Sequence, residues 1–245
     1  MPNHHQIQHH LVFSDLASAS VNDLIELVGQ EVHHAVRVKR VKENHTVGVL
    51  DGTGTTATAT VHSIAGSRSK PALTLKITAL DHHKPVFPAI EVFAALPKGD
   101  RLDRMIDQLS QLGVTKFRPL LCQRSQRKPE TVRIDKLERI ALEAAKQCHR
   151  PWVLNLDEPI TFADAIKDPD AILADASGKQ AVQYPSPARV VLLIGPEGGW
   201  SDEERDQINA TKVPVMRFGL FVLRIEAAAC AASAIVLSSI SKQTP

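Results

Sequence analysis

The stretch Ile194-Gly195-Pro196-Glu197-Gly198-Gly199-Trp200-Ser201 decides the fold. It follows the apolar run Val190–Ile194, which is typical of a buried parallel strand. The Gly-Pro pair turns the chain, and Ser201 followed by Glu204 has the pattern of a helix start with a capping box. The two further glycines allow the backbone to approach a ligand closely. The stretch therefore predicts a strand, a ligand-binding loop and a helix.

A second stretch, Phe218-Gly219-Leu220-Phe221-Val222-Leu223-Arg224-Ile225-Glu226-Ala227, repeats this plan further along the chain. The apolar run Val215–Phe218 predicts a strand, the glycine a turn, and the Ala-rich continuation a long helix that carries Arg224 and Glu226. Two neighbouring strand ends of a parallel sheet form one pocket, at the place where ligands bind in α/β proteins.

Strands alternate with helices throughout the second part of the chain. Apolar runs predict five strands, at Ile90–Leu96, Phe117–Leu121, Ala171–Ala174, Val190–Ile194 and Val215–Phe218. Between them, apolar residues at helical spacing predict helices over 102–112 and 137–144. This alternation is typical of the α/β class, with a mostly parallel sheet covered by helices.

The first part of the chain has a different pattern. Alternating small apolar residues and threonines over Thr46–Val61 predict a β-hairpin around the turn 51–54, and Leu73–Ile77 predicts another strand. The stretch Val21–Gln30 is expected to be helical. Prolines flank the segment before residue 89, where neither periodicity continues. The sequence therefore predicts a small β-rich domain at 1–78, a linker at 79–88 and the α/β domain at 89–245.

The two glycine-containing stretches resemble the motifs of the SPOUT class of RNA methyltransferases. Within that class the chain is most similar to the bacterial 16S ribosomal RNA uridine-N3 methyltransferases. Further segments resemble that family in the same order along the chain, at His33–Lys42, Asp51–Gly54, Lys98–Val114, Arg124–Ser125 and Glu143–Arg150. The resemblance thus covers nearly the whole chain.

This resemblance implies an architecture, a reaction and partners. It implies a PUA-like β-barrel domain that binds RNA, followed by a methyltransferase domain with a trefoil knot. The implied reaction transfers a methyl group from S-adenosyl-L-methionine (SAM) to N3 of a uridine in 16S ribosomal RNA, free or in the small ribosomal subunit. The implied assembly is a homodimer in which each active site is completed across the interface.

The cofactor site is expected at the two strand ends. SAM carries an adenine and a sulfonium, and it needs an apolar slot, backbone groups that recognise adenine, and no metal. The residues expected to bind it are Ile194, Gly195, Pro196, Glu197, Gly198, Gly199, Phe218, Gly219, Leu220 and Leu223. The alternative is that the glycines serve only a strand-to-helix turn.

Two residues are expected to be catalytic, Arg224 and Glu226. Uracil N3 is protonated at neutral pH, so methyl transfer requires removal of a proton or stabilisation of the developing anion. Arg224 is the candidate for stabilising the anion. Glu197 and Glu226 are both candidates for orienting the donor or accepting the proton, and positioning with desolvation is an alternative to a base.

Basic residues cluster locally although the formal net charge is only +2. Such clusters are typical of contacts with RNA phosphates, whereas the low aromatic content of 4% excludes a stacking platform for single strands. The residues expected to bind RNA are Arg37, Arg40, Lys42, Arg124, Arg127 and Arg150.

Several other functions are not expected. The histidine pairs lack the spacing of metal ligands, so we expect no metal site. The three cysteines are odd in number and no signal sequence is present, which indicates reduced thiols in a cytoplasmic protein. The apolar run 227–237 is too short to span a membrane.

The chain lacks three polar side chains of the family pattern L-G-x-R-I-L-R-T-E-T-A. Phe221 stands where the family has an arginine, and Ile225 and Ala227 stand where it has threonines. Gln111 also replaces an acidic residue of the earlier helix. These changes leave two alternatives open: a SPOUT enzyme with another target atom, such as a ribose 2′-hydroxyl, and a catalytically inactive RNA-binding or assembly factor.

Overall fold

The computed structural model describes residues 7, 9–67, 70–180 and 188–241. They belong to two compact units, Met1–Pro85 with Ala145–Val153, and Val86–Ala144 with Leu154–Pro245. This division differs from the expected domain boundaries, because the first unit runs to Pro85 and includes a short segment from the second half of the chain.

The first unit is built on one five-stranded sheet with a short helix. Its strands are β1 (His10–Val12), β2 (Leu24–Leu27), β3 (Thr46–Leu50), β4 (Thr55–Gly66) and β5 (Pro71–His82), and its helix is α1 (Gln30–Arg37). The strand order is β1-β3-β4-β5-β2. The antiparallel hairpin of β3 and β4 confirms the predicted hairpin, and the strand predicted at Leu73–Ile77 lies within β5.

The prediction of a helix over Val21–Gln30 is wrong. Strand β2 occupies the middle of this stretch and pairs antiparallel with β5, and α1 begins only at Gln30. Ile25 and Leu27 are buried whereas Leu24 and Glu26 are exposed. The stretch thus follows the two-residue period of a half-buried strand.

The segment 145–153 is an integral part of the first unit. Trp152 lies against Gly54, where φ is +111° and any Cβ atom would collide with the indole ring. The indole N–H of Trp152 donates to the carbonyl of Lys84 at 3.1 Å. The ammonium of Lys146, almost fully buried, donates to both carboxylate oxygens of Glu31 at 3.1 Å. A buried charge is stable only when paired in this way.

The second unit contains a seven-stranded sheet. Its strands are β6 (Ala89–Ala94), β7 (Lys116–Leu121), β8 (Asn155–Leu156), β9 (Ile160–Thr161), β10 (Ala171–Gln180), β11 (Arg189–Ile194) and β12 (Val215–Arg217). Its helices are α2 (Arg101–Gln111), α3 (Ile134–Gln147), α4 (Phe162–Ala165), α5 (Asp202–Thr211) and α6 (Ile225–Ser241). Residues 145–147 of α3 fall in the first unit.

Strand pairing confirms the predicted parallel sheet. The order is β12-β10-β11-β6-β7-β8, with β9 beside β7, and every pairing found among the described residues of this sheet is parallel. The neighbouring strands β11 and β6 are buried almost throughout, which explains their continuous apolar sequences. The expected trefoil knot stays a prediction.

This topology places the carboxyl ends of β11 and β12 on either side of β10. Ala174 of β10 pairs with Ile194 of β11 and with Met216 of β12, and β11 and β12 are followed by the two glycine-containing stretches. In the described part of the chain, no helix is long and apolar enough to cross a membrane.

Candidate active site

A cavity of about 320 Å³ opens beside the middle of β10 and at the carboxyl ends of β11 and β12. Residues of β10, the loops after β11 and β12, one residue of α5 and the start of α6 form its wall. The lining residues are Ala174, Asp175, Ala176, Ile194, Gly195, Pro196, Glu197, Gly199, Trp200, Arg205, Arg217, Phe218, Gly219, Phe221, Val222, Leu223, Ile225 and Ala228.

The capping box at the start of α5 holds the loop that follows β11. The hydroxyl of Ser201 accepts from the backbone N–H of Glu204 at 3.1 Å, and the carboxylate of Glu204 accepts from the N–H of Ser201 at 2.8 Å. The other carboxylate oxygen accepts from the N–H of Gln123 at 2.9 Å. The predicted helix start is thereby confirmed, and the loop is fixed at its end.

Glycine is required in this loop for close packing. A Cβ atom at Gly195 would lie 2.6 Å from the ring of Trp200. That ring is 2% exposed and packs against Phe162 with 4.8 Å between ring centroids. Gly199 has a φ of +69°, which side chains rarely adopt. Both glycines therefore shape the cavity wall.

Eight of the ten residues expected to bind the cofactor line this cavity, the exceptions being Gly198 and Leu220. A Cβ atom at Gly198 would lie 3.2 Å from the Cβ of Arg124. Leu220 is 78% exposed and does not line the cavity, so its role in SAM binding stays a prediction.

The two expected catalytic residues have different surroundings. Glu226, in the first turn of α6, is mostly buried, and its Oε2 accepts no hydrogen bond from any described residue. This oxygen lies 3.9 Å from Nη1 of Arg101, and the same Nη1 donates to Oε1 of Glu197 at 2.5 Å. Arg101 therefore links the two acidic candidates, whereas Arg224 is exposed and does not line the cavity.

Five of the six residues expected to bind RNA are accessible. Arg37, Arg40 and Lys42 are exposed at the end of α1 and in the loop after it. Arg124 is exposed and donates to the carbonyl of Trp200 at 3.0 Å, and the half-buried Arg127 donates to the carbonyl of Pro97 at 3.2 Å.

Arg150 is the exception among the expected RNA-binding residues. Its side chain belongs to the first unit and is only 7% exposed, and this burial lowers the pKa of its guanidinium. A buried guanidinium cannot reach a phosphate of an RNA, so the prediction for Arg150 is wrong.

Sequence reasoning missed three charged residues of the cavity wall. Asp175 lies within β10, and its Oδ1 accepts from the N–H and hydroxyl of Ser177 at 2.9 and 2.6 Å. Arg205 lies on α5 and Arg217 ends β12; within the described ranges, neither guanidinium has a hydrogen bond or ion pair. The position of Arg217 at a strand end beside the pocket is a signal that could have identified it.

The chain matches the models of two known domain families. A model of the RNA methyltransferase domain matches residues 83–237, and a model of the RNA methyltransferase PUA domain matches residues 27–69. The first match spans more than half of the chain, which therefore belongs to the RNA methyltransferase family. The second confirms the PUA-like character predicted for the first unit.

Individual proteins that are similar to the chain also carry the names of RNA methyltransferases. The chain is 29% identical to ribosomal RNA small subunit methyltransferase E of Synechocystis, over 82% of this chain and 68% of that protein. It is 26% identical to the protein of the same name in Bacillus subtilis, over 89% and 90% of the two chains. Its fold matches the Neisseria gonorrhoeae protein of that name, solved with SAM, at a TM-score of 0.78 and 22% identity, covering 92% and 95%.

Among the described residues, no group of three His, Cys, Asp or Glu side chains is arranged to hold a metal ion. Burial also raises the pKa of the Cys122 thiol to about 12 and that of the Cys230 thiol to about 11. Neither thiol is therefore ionised near neutral pH, which argues against a cysteine nucleophile at these two positions.

Proposed function

We propose that this chain transfers a methyl group from SAM to N3 of a uridine in 16S ribosomal RNA. The observation that carries the proposal is the cavity beside β10 and the ends of β11 and β12, in a chain of the RNA methyltransferase family. The names of its relatives support the small-subunit RNA as substrate, and the SAM bound to the Neisseria gonorrhoeae protein supports the donor.

The residues of the cavity fit SAM. A volume of about 320 Å³ lies in the range of small-molecule sites. Ile194, Phe218 and Leu223 provide apolar wall, and the carboxylates of Asp175 and Glu197 complement a positively charged ligand. When bound, SAM supplies an electrophilic methyl group. Methyl transfer of this kind requires no metal.

We assign Glu226 as the acceptor of the N3 proton. Its Oε2 is buried without a hydrogen bond among the described residues. Glu226 lies in the first turn of α6, next to Ile225 of the cavity wall, although it does not itself line the cavity. An unsatisfied buried carboxylate oxygen is costly for stability. Such a cost is typical of groups that serve a reaction, because a proton or substrate group satisfies them during turnover.

Arg101 is the positioning residue for this pair of acids. It is the first residue of α2, where the helix dipole disfavours a cation. Its contacts with Glu197 and Glu226 offset that cost. The guanidinium thereby orients Glu197 on the cavity wall and stays close to the position where negative charge develops on the uracil ring.

The remaining parts of the proposal concern partners. The exposed Arg37, Arg40 and Lys42 of the PUA-like unit, with Arg124 and Arg127, bind phosphates of the RNA. Arg224, exposed beside the loop, contacts the substrate or the partner subunit of a homodimer whose active sites are completed across the interface. An enzyme that modifies the small ribosomal subunit acts in the cytoplasm.

The product of the reaction tests the proposal directly. Purified protein is incubated with methyl-labelled SAM and either 16S ribosomal RNA transcribed in vitro or small subunits reconstituted from it. The RNA is digested to nucleosides and compared by mass spectrometry with standards. We expect label in N3-methyluridine. Label in a 2′-O-methylated nucleoside would show that the target atom is the ribose 2′-oxygen and not N3. Absence of label with both substrates would contradict the proposed activity.

Glu226→Gln tests the assigned base. The substitution keeps size and removes the ability to accept a proton, so we expect the rate of methyl transfer to fall by about 10²- to 10⁴-fold. SAM binding, measured by calorimetry, should change little. Glu138→Gln on the exposed face of α3 is the matched control and should leave the rate unchanged. A Glu226→Gln protein with the wild-type rate would exclude Glu226 as the base.

A further inference from the structure

The side chain of Phe221 is in an unusual position for an aromatic residue. It lines the cavity and still exposes 83% of its surface. The other aromatic residues of the cavity wall, Trp200 and Phe218, are 2% and 8% exposed and are held by packing. Within the described cavity wall, Phe221 alone therefore offers an accessible aromatic face to a planar ligand that approaches from solvent.

The loop around Phe221 leaves four consecutive apolar side chains exposed, of which Leu223 is the least exposed at 37%. Leu220 and Val222, on either side of Phe221, are 78% and 85% exposed. A contiguous exposed apolar patch marks a site that another molecule covers in the functional complex. Because Phe221 and Val222 line the cavity and Leu220 does not, the patch continues the cavity wall outward to solvent.

The occupant that fits this position is a base of the RNA. For methyl transfer, the acceptor atom must come within about 3–3.5 Å of the methyl carbon. A base inside a folded RNA reaches such a cavity only after it leaves its stack, and aromatic side chains compensate for the lost stacking. Phe221 stands at the opening through which that base has to pass.

We propose that Phe221 stacks against the target pyrimidine and holds it at the opening of the cavity. This inference rests on the proposed function. The arginine that the family pattern has at this position can also stack its guanidinium plane on a base. The change to Phe221 thus keeps a planar stacking surface and removes one positive charge, so the RNA affinity of this protein depends less on salt at this contact.

The experiment compares substitutions at two neighbouring positions. Affinity for 16S ribosomal RNA transcribed in vitro is measured with S-adenosylhomocysteine present, and methyl transfer is measured separately with SAM. Removing the aromatic side chain on which one base stacks reduces the free energy of binding by about 1–3 kcal/mol. We therefore expect Phe221→Ala to weaken RNA binding, and to raise KM for RNA, by roughly 5- to 100-fold. Phe221→Tyr restores both, and SAM affinity stays within about twofold of wild type because Phe221 forms only the outer wall.

Leu220→Ala is the matched control, because Leu220 is equally exposed but does not line the cavity. We expect it to weaken RNA affinity and raise KM much less than Phe221→Ala does, because Leu220 belongs to the exposed patch but has no planar face on which a base can stack. Phe221→Arg should bind RNA and show a steeper dependence of affinity on salt than wild type.

Three outcomes would overturn the inference. The first is a Phe221→Ala protein with wild-type RNA affinity and KM. The second is equal loss in Leu220→Ala and Phe221→Ala together with dissociation of a dimer in light scattering, which would assign the patch to a second copy of the chain. The third is a loss of SAM affinity in Phe221→Ala that is large enough to explain both its weaker RNA binding and its higher KM. A wild-type protein that binds RNA through Phe221 but transfers no methyl group would instead contradict the proposed function alone.

Discussion

At the scale of single residues, the carboxylate of Asp51 shows how the first unit fixes a turn. Its Oδ1 accepts from the backbone N–H groups of Thr53 at 2.7 Å and Thr55 at 2.9 Å, between β3 and β4. Partial burial raises the pKa of Asp51, but these hydrogen bonds to the charged form outweigh it, so the pKa lies below its ordinary value of 3.8.

This shift predicts a pH-dependent contribution to stability. A lowered pKa in the folded state means that the contribution is present above the pKa of the unfolded chain and is lost as pH falls through the folded value. Asp51→Ala should therefore lower the free energy of unfolding by about 1–3 kcal/mol at pH 7 and by less near pH 3. Urea unfolding at both pH values measures this. A difference that is the same at pH 7 and pH 3 would contradict the assignment.

At the scale of elements, the loop between β11 and α5 depends on its glycines to different degrees. Gly195 faces the buried ring of Trp200, which cannot move without leaving Phe162, whereas Gly198 faces the exposed Arg124. We expect Gly195→Ala to reduce the free energy of unfolding by about 1–3 kcal/mol and to weaken SAM binding. Gly198→Ala is the matched control and should cost less than half as much. Equal costs in urea unfolding would show that Trp200 does not restrict the loop.

Elements whose burial leaves a periodic signal could be predicted from the sequence. Strands β6 and β11 have neighbours on both sides, so their apolar runs are continuous, and α5 begins with a capping box. Strands β8 and β9 have two residues each, which is too short for any period to appear. Strand β2 was mistaken for helix because its exposed Leu24 interrupts the alternation of apolar and polar residues.

The candidate site could be predicted in part, because a strand end followed by glycines is a local pattern of the sequence. Most of the residues predicted from this pattern to bind the cofactor line the cavity. The contact of Arg101 with Glu197 joins residues 96 positions apart. The approach of Arg101 to Glu226 depends on the packing of α2 against α6. Arg205 belongs to no motif and to no predicted strand end, so only the folded chain shows that it lies on the cavity wall.

At the scale of the whole molecule, the two compact units are not two consecutive segments. Residues 145–153 leave the second unit at the end of α3 and complete the first, with Trp152 against Gly54 and Lys146 paired with Glu31. The composition of the sequence does not reveal that this segment packs in the first unit, because the segment does not differ in polar character from its neighbours. The same packing buries Arg150, which explains why a basic residue within a family motif was mistaken for an RNA contact.

The proposed function requires that the cavity beside β10 and the ends of β11 and β12 binds the methyl donor. Thermal unfolding with and without SAM tests this binding, using wild type and two substitutions in one loop. Leu223→Arg introduces a cation into the cavity wall, and Leu220→Arg introduces the same cation outside it. Binding to the native state stabilises by about 2.7 kcal/mol when SAM is present at about 100 times its Kd.

We predict that SAM raises the Tm of wild type and of Leu220→Arg by similar amounts, and that the increase disappears in Leu223→Arg. Circular dichroism before heating would confirm that each protein is folded. An increase that persists unchanged in Leu223→Arg would place the donor elsewhere, and no increase in folded wild type at saturating SAM would contradict the account.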